Sequence, residues 1–328
     1  MSNIGRHRFT SALLSSGDRP ALAAMMMVGS LFMLAFQDSL VKLISPDVSL
    51  WQYQFLRAAF NLMLLTVVSR LFWRDHRLLP RRLWAVALRS VLLASAMTLF
   101  FAGIPFLSLA TVAAGIYVFP LFIAVLSGTV LGERVGPRRI TAILSGFSGT
   151  LLILKPGTES FQLIGLLPIA AALCYAATIL TTRKLCREES PVTLTYGAAV
   201  ALLLTGSCGL LVFSGGTFAG LAADWPYLFR GWRQVGLPVV GVVVICSFLN
   251  TFANIGLSKA YQSAESSWLA PFDYCYLIFA TFWSVMMWND LPDGWSFLGM
   301  ALIAGSGIFV AWRERQENRV AAASTEHV

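Results

Sequence analysis

Charged residues are scarce in this chain: Asp, Glu, Lys and Arg together make up 12% of its 328 residues, about half the share usual in soluble proteins. Histidine is scarcer still. His7, His76 and His327 all fall in the terminal tails or one loop, so no metal or haem site built on histidine is expected inside the apolar segments. The five cysteines (Cys174, Cys186, Cys208, Cys246, Cys275) form no Cys-x-x-Cys pair, which speaks against a disulfide framework or a metal cluster. The chain has no GxxxxGK[ST] phosphate loop, no HExxH and no dense carboxylate group for magnesium; these are the patterns that would hold nucleotides or catalytic metals. Large polar insertions are missing too, which argues against an ATP-driven pump. No cofactor is expected, and an enzyme is not the expected class.

What the chain has instead is apolar length. Hydrophobic residues are 57% of the total and mean hydropathy is +0.72. Ten apolar runs follow one another, over 21–42, 51–73, 83–106, 109–131, 137–155, 163–182, 192–214, 235–257, 263–288 and 294–312. A hydrocarbon core of about 30 Å takes roughly 20 helical residues. Lipid leaves no partner for unpaired backbone groups, so helices are the expected answer. The fold class read here is an all-α membrane protein with ten transmembrane helices. The first run is long, lacks a clear small-residue cleavage site and is followed by nine more, so it reads as a span and not as a signal peptide.

The net charge of +8 does not point to nucleic acid, because the basic residues sit in short loops and form no single basic face. With the amino terminus inside, 18 of the 24 Lys and Arg residues fall on the inner side, from Arg6 and Arg8 through Arg81, Arg82 and Arg183 to Arg319. Only Lys42, Lys155, Arg230 and Arg233 fall outside, and Arg57 and Arg89 lie within helices. Basic loops are retained on the cytoplasmic side, so both termini are expected there.

The two halves of the chain resemble each other. Aligning Glu133 with Asp290 places Ala113 on Ala270, Tyr117 on Tyr274, Phe122 on Phe279 and Ser127 on Ser284. Earlier in each half, Ser45-Pro46-Asp47-Val48-Ser49-Leu50 echoes Ser190-Pro191-Val192-Thr193-Leu194. Five helices per half means the second copy enters from the opposite side. The expected organisation is two inverted five-helix repeats, 21–157 and 158–313, flanked by cytoplasmic tails 1–20 and 314–328. Repeats of this kind form half-bundles that rock about a central site.

Several motifs carry a family resemblance: Phe55-Leu56-Arg57, Leu88-Arg89-Ser90, Pro120-Leu121-Phe122 leading to Leu131-Gly132-Glu133-Arg134, Lys155-Pro156-Gly157, Ala270-Pro271-Phe272-Asp273-Tyr274 and Asn289-Asp290-Leu291-Pro292. Over roughly residues 20 to 313 the chain resembles the drug/metabolite transporter superfamily, in its ten-helix bacterial type with two EamA domains. It departs from the family pattern at Asn289-Asp290, where Gly-Glu is usual, and at Ala142, where glycine is common. The resemblance implies transport of a small organic metabolite. Within the family the chain is similar to the branch that includes bacterial riboflavin and S-adenosylmethionine transporters.

Asp273 is the first candidate site residue. Some ten residues into its run, it would lie about 15 Å deep, where an ionisable group is costly and a functional role is the default reading. It is expected to contact the substrate or to carry a coupling proton, against the alternative of a structural acid. Arg57 and Arg89 sit some six residues inside their helices. Each serves as a gate residue or offers its guanidinium to a carboxylate or phosphate of the substrate, or snorkels to the interface. Tyr117 and Tyr274 are repeat-related and suited to stack on a flat ligand, although core packing is the commoner use of tyrosine. Phe272 and Tyr276 would join them only if their helix turned that way. Asn250 and Asn254 either glue helices together or line the cavity. Gln37 is expected to line the path. Asp38 precedes Lys42 by four residues and reads as a surface ion pair, and Trp51 reads as an interface anchor.

The function expected is a secondary transporter working by alternating access in a bacterial inner membrane, with a riboflavin-like or S-adenosylmethionine-like substrate. An exporter of amino acids, metallophore-like metabolites or drugs is the alternative, and a membrane enzyme or structural protein is the alternative of another class. The expected partners are a small-molecule substrate and the lipid bilayer, with proton coupling open and no nucleic acid. Small residues on every helix leave a dimer seam indistinguishable from internal packing.

Overall fold

Apolar runs of this length become helices wherever polar breaks allow, and the breaks set the boundaries. The computed structural model describes residues 20–72, 80–130, 137–155, 163–216, 218–263 and 266–325. Among these the elements are helical throughout. They are α1 (Pro20–Ile44), α2 (Leu50–Phe72), α3 (Leu83–Gly103), α4 (Leu109–Ile116), α5 (Phe119–Val130), α6 (Pro137–Leu154), a 3-10 turn (Leu163–Gly165), α7 (Leu166–Leu185), α8 (Pro191–Ser214), α9 (Ala219–Asp224), α10 (Pro226–Phe229), α11 (Leu237–Ser263), α12 (Ser266–Asp273), α13 (Cys275–Trp288) and α14 (Gly294–Thr325). Ser108 and Ser190 cap α4 and α8 by accepting from the amides of Thr111 and Thr193, each at 3.0 Å, which satisfies first-turn donors that have no helical partner. Asn289 ends α13 in the left-handed region at φ 51°, where asparagine is tolerated.

Six helices among the described residues are long and apolar enough to cross a membrane: Ala21–Ile44, Leu83–Gly103, Leu109–Ser127, Leu163–Leu185, Pro191–Ser214 and Leu237–Tyr261. Ile140–Leu154 and Gly294–Phe309 are shorter apolar helices. The expectation of ten plain spans differs from this for local reasons. Helix α2 carries Gln52, Gln54, Arg57, Asn61 and Arg70, which dilute its apolar character. The run 263–288 is not one helix but two, separated at Tyr274. The run 109–131 is also interrupted, at Tyr117–Val118, although Leu109–Ser127 remains one of the six apolar stretches.

Both interruptions sit three residues from a proline. Pro120 lies in the first turn of α5, where a missing N–H costs little, and Pro271 lies inside α12. The chain turns tightly at each break, with Leu121 N–H donating to Val118 O at 2.9 Å and Leu277 N–H to Tyr274 O at 3.1 Å. Helix α14 also runs on to Thr325, past the expected end at 312. Glu133 lies outside the described residues.

The bundle is built from four extensive pairings: α1 along α11, α3 along α7, α2 along α8 and α6 along α14. Helix α1 also packs on α12 and α13, α7 on α4 and α5, and α11 and α8 on α2 and α3 respectively. At the α6–α14 crossing Gly149 and Gly299 face each other so closely that a Cβ on either would meet the other's carbonyl oxygen, at 2.6 and 2.5 Å. Small residues let helix backbones approach this way in lipid. One end of the bundle carries Lys42, Lys155 and the α9–α10 connection. The other carries Arg81, Arg82, Glu188 and Glu189, where Arg82 N–H donates to Glu189 Oε1 at 2.8 Å.

Candidate functional site

Asp38 and Arg57 are the buried charged side chains among the described residues, 6% and 4% exposed. Burying a charge is costly unless it is compensated, so this pair marks the site. Asp38 is not the surface ion-pair partner of Lys42 that its spacing suggests. Lys42 Nζ donates instead to Leu107 O at 2.8 Å and lies 5.1 Å from the Trp288 ring centre. Helix α1 turns Asp38 inward, where its carboxylate accepts from the Tyr276 hydroxyl at 2.5 Å and from Gln37 Nε2 at 3.2 Å. Helical periodicity alone cannot distinguish an outward i,i+4 pair from this arrangement, because the partner comes from a helix more than 200 residues away.

Arg57 projects from α2 over Phe101 of α3, with its guanidinium carbon 4.4 Å from that ring centre and 5.4 Å from the Tyr53 ring. Such placement is a cation–π contact. Among the described residues the guanidinium makes no hydrogen bond or ion pair. Arg57 lies near enough to Asp38, Tyr53, Tyr227 and Cys246 to act on each electrostatically. Three buried oxygens in this neighbourhood have no hydrogen-bond partner among the described residues: Gln37 Oε1, Tyr53 OH and Tyr227 OH. Buried polar atoms are nearly always paired, so the cluster is unsatisfied by the residues around it.

The tyrosines form a stack between α4 and α13. Tyr117 lies parallel to Tyr276, centroids 5.2 Å apart at 13°, and also meets Tyr274 at 5.6 Å. Residues two apart on a regular helix point some 200° away from each other. Tyr274 and Tyr276 reach the same ring because the helix breaks at Tyr274. A Cβ on Gly307 would overlap the Tyr274 hydroxyl, so α14 leaves room for that side chain. Tyr276, conditional on the sequence alone, thus joins the stack. Its one signal in the chain is the proline three residues before Tyr274.

The remaining candidates lie towards the Arg82 end. Asp273 ends α12 and accepts from Tyr261 OH of α11 at 2.8 Å. Arg89 donates to Leu194 O of α8 at 2.9 Å, tying α3 to α8. Asn250 accepts from Asn61 Nδ2 of α2 at 3.3 Å. Asn254 donates to Asn250 O at 2.7 Å and is exposed. Trp51 lies at the opposite end, beside the α9–α10 connection: its indole N–H donates to Leu228 O at 2.8 Å, and its ring stacks on Phe213.

Helix α11 shows three distinct faces. Asn250, Asn254, Ser258 and Tyr261 share one arc of about 80°, and the last three are exposed. Cys246, Ala253 and Ala260 are fully buried on a second. Ile245, Phe248 and Phe252 are exposed on a third, roughly opposite the polar arc.

At the Lys155 end, Lys155 Nζ and Asp293 Oδ2 pair at 2.6 Å. The hydrogen bond from Lys155, helped by Ser296, pulls the Asp293 carboxyl down to about 2. These residues, with Ser108, Thr111 and Asp290, line a cavity of 340 Å³ at the helix ends, apart from the Asp38–Arg57 cluster.

Comparison with known proteins adds the family. Residues 21–155 match the EamA-like transporter family. A protein of Rhizobium johnstonii named riboflavin transporter is 28% identical over 84% of this chain and 83% of its own length. One of Vibrio cholerae with the same name is 33% identical over 61% of each. A protein of Rickettsia prowazekii named S-adenosylmethionine uptake transporter is 21% identical over 88% of this chain and 91% of its own. A solved crystal structure shares the fold with a TM-score of 0.59 at 16% identity, over 91% of this chain and 99% of that one. Residues 21–155 are thus similar to an EamA domain, the unit of the drug/metabolite transporter superfamily.

Proposed function

We propose that the chain is a secondary transporter that moves a small organic metabolite across a bacterial inner membrane by alternating access. The observation that carries this reading is the buried, incompletely paired cluster around Asp38 and Arg57, contacted by α13 and α11 from the other half of the sequence. Ionisable groups inside a membrane protein mark substrate and ion pathways by default. The relatives named for riboflavin and S-adenosylmethionine support a metabolite of that size.

In this reading ten membrane helices form two inverted five-helix repeats, 21–157 and 158–313, flanked by tails 1–20 and 314–328. The packing supports it. Exchanging α1 with α7, α2 with α8, α3 with α11, α4–α5 with α12–α13 and α6 with α14 interchanges the α1–α11 and α3–α7 pairings and carries the α2–α8 and α6–α14 pairings onto themselves. The basic residues support cytoplasmic termini, which makes the Lys155 end the outer one. The polar arc Asn250, Asn254, Ser258 and Tyr261 supports an inward-opening vestibule, since a polar stripe facing lipid is unfavourable while one lining water is not.

The proposed substrate-binding set is Asp273, Tyr274, Tyr117, Arg57 and Gln37, joined by Tyr276. Asn254 lines the vestibule, while Arg89 and Asn250 hold neighbouring helices in register. Transport requires the half-bundles to part at the Asp38–Tyr276 hydrogen bond, and bound substrate lowers that barrier by offering replacement partners to the groups that separate. Asp273, at the vestibule with its carboxylate held by Tyr261, is the group proposed to carry a coupling proton. Uptake by proteoliposomes of a panel of flavins, S-adenosylmethionine, amino acids and purines tests the reading. Saturable flux of one class supports it, and flux that rises linearly with concentration for all of them contradicts it.

A further inference from the structure

The same exchange of helices carries α13 on α1 onto α5 on α7, α12 on α1 onto α4 on α7, and α12 on α14 onto α4 on α6. The remaining contacts of α4 break it. Helix α4 packs on α13 and touches α14, so it stands as a wedge between them at the Lys155 end. Its counterpart α12 has, among the described residues, no comparable packing on α5 or α6, and those two pack on each other. The two halves therefore differ in which of two equivalent half-helices is inserted into the other half.

Side chains hold the wedge in place. The register that sets Tyr117 on Tyr274 also sets Phe119 on Tyr276. Tyr117 ends α4 and stacks on Tyr276 of α13 at 5.2 Å and 13°, and Tyr276 is tied to α1 through Asp38. In the other half Phe119 of α5 takes the equivalent place, meeting Tyr175 of α7 edge-on at 5.0 Å. Tyr274 does not cover it. Among the described residues the ring partner of Tyr274 is Tyr117, at 5.6 Å, and its hydroxyl lies against Gly307 of α14, where a Cβ would overlap it. Two equivalent tyrosines thus occupy unlike positions, one stacked across the halves and one held back.

We infer that Tyr117 and Tyr274 are alternating latches. With Tyr117 on Tyr276, α4 is inserted and the Lys155 end is closed. In the opposite state α12 enters between α5 and α6, Tyr274 stacks on Phe119 and closes the Arg82 end, and α4 withdraws from α13. The latches exclude each other for a structural reason. Helix α12 can enter only if α5 and α6 part, and Tyr117 directly precedes α5, so moving α5 draws the Tyr117 ring off Tyr276. Phe119 has no hydroxyl to tie it to α7, so the state described is the better held of the two. The inference deepens the proposed alternating-access reading and rests on it.

The test is amide hydrogen exchange of the full chain in lipid nanodiscs, read across α4, whose amides open when the wedge withdraws. Tyr117→Leu keeps apolar volume and removes the stacked ring, so exchange across α4 should rise roughly two- to tenfold, the value of one ring stack. Phe119→Leu removes the ring that receives Tyr274 in the opposite state, and exchange across α4 should fall by a similar factor. Tyr117→Phe keeps the ring and should match wild type. A packing role alone would make both leucine variants loosen α4. Faster exchange in Phe119→Leu, or unchanged exchange in Tyr117→Leu, therefore overturns the latches, and Phe119→Leu decides the sign should Tyr117→Leu fail to fold. Flux of the same panel of metabolites separates the two readings. Saturable flux with same-signed exchange changes leaves the carrier standing without the latches, and opposite-signed changes without saturable flux support the latches while removing the carrier.

Discussion

The hydroxyl of Tyr276 donates to the carboxylate of Asp38 across 2.5 Å, joining α1 to α13 inside the bundle. The bond sits beside the Tyr117 ring and near Arg57, so one contact couples helix packing, the aromatic stack and the buried charge balance. Asp38→Ala would leave Arg57 without its counter-charge and the Tyr276 hydroxyl without an acceptor. The expected loss is about 1–3 kcal/mol, the cost of leaving a buried hydrogen-bond partner unsatisfied, seen as a drop in melting temperature in detergent. Asp38→Asn keeps an acceptor for Tyr276 and should fall between wild type and Asp38→Ala. Equal melting of all three would show that the bond contributes nothing.

The glycines of α14 separate by environment. A Cβ at Gly299 would stand 2.5 Å from Gly149 O, whereas one at Gly305 meets nothing within 4 Å. Gly299→Ala should therefore force α6 and α14 apart and cost about 1–3 kcal/mol, while Gly305→Ala is neutral or slightly stabilising through helix propensity. Paired melting curves check this, and equal effects at the two positions would contradict the crossing described.

The Lys155–Asp293 pair has a defined pH window. Its carboxyl is held at about 2, below the ordinary 3.8. The stabilisation is therefore fully present above about pH 4 and is lost as pH falls from there towards 2. Both side chains are partly exposed, which limits the effect to under about 1 kcal/mol. Lys155→Met should melt slightly lower than wild type at pH 7, with the difference closing near pH 2. A difference that persists unchanged into acid would assign it to packing.

Asp273→Asn leaves an acceptor for Tyr261 and removes only the exchangeable proton. Uptake driven by an imposed pH gradient should drop to the rate seen without one, while exchange down a substrate gradient persists. Retention of full gradient dependence would free Asp273 of the coupling role.

Much of this architecture is legible in the chain itself. The apolar runs mark most helices, and the position of Tyr117 and Tyr274 in matching registers points to facing aromatics. Asp38 is different, because the i,i+4 spacing to Lys42 is a local rule, whereas the direction in which α1 rolls is set by α11 and α13. Tyr276 stays conditional in the sequence because i and i+2 diverge on an unbroken helix, and the break at Tyr274 depends on how Pro271 is accommodated in the bundle. The orphaned hydroxyls of Tyr53 and Tyr227 have no sequence signal at all: an unpaired atom is defined only by what three-dimensional packing fails to bring near it.

The most direct test of an alternating central site is counterflow. Proteoliposomes preloaded with the unlabelled form of a panel compound that shows saturable uptake should accumulate the external labelled form faster, and transiently above equilibrium, compared with empty vesicles, because a loaded site returns across the membrane more readily than an empty one. Entry at the same rate into loaded and empty vesicles, with no overshoot, would contradict such a site.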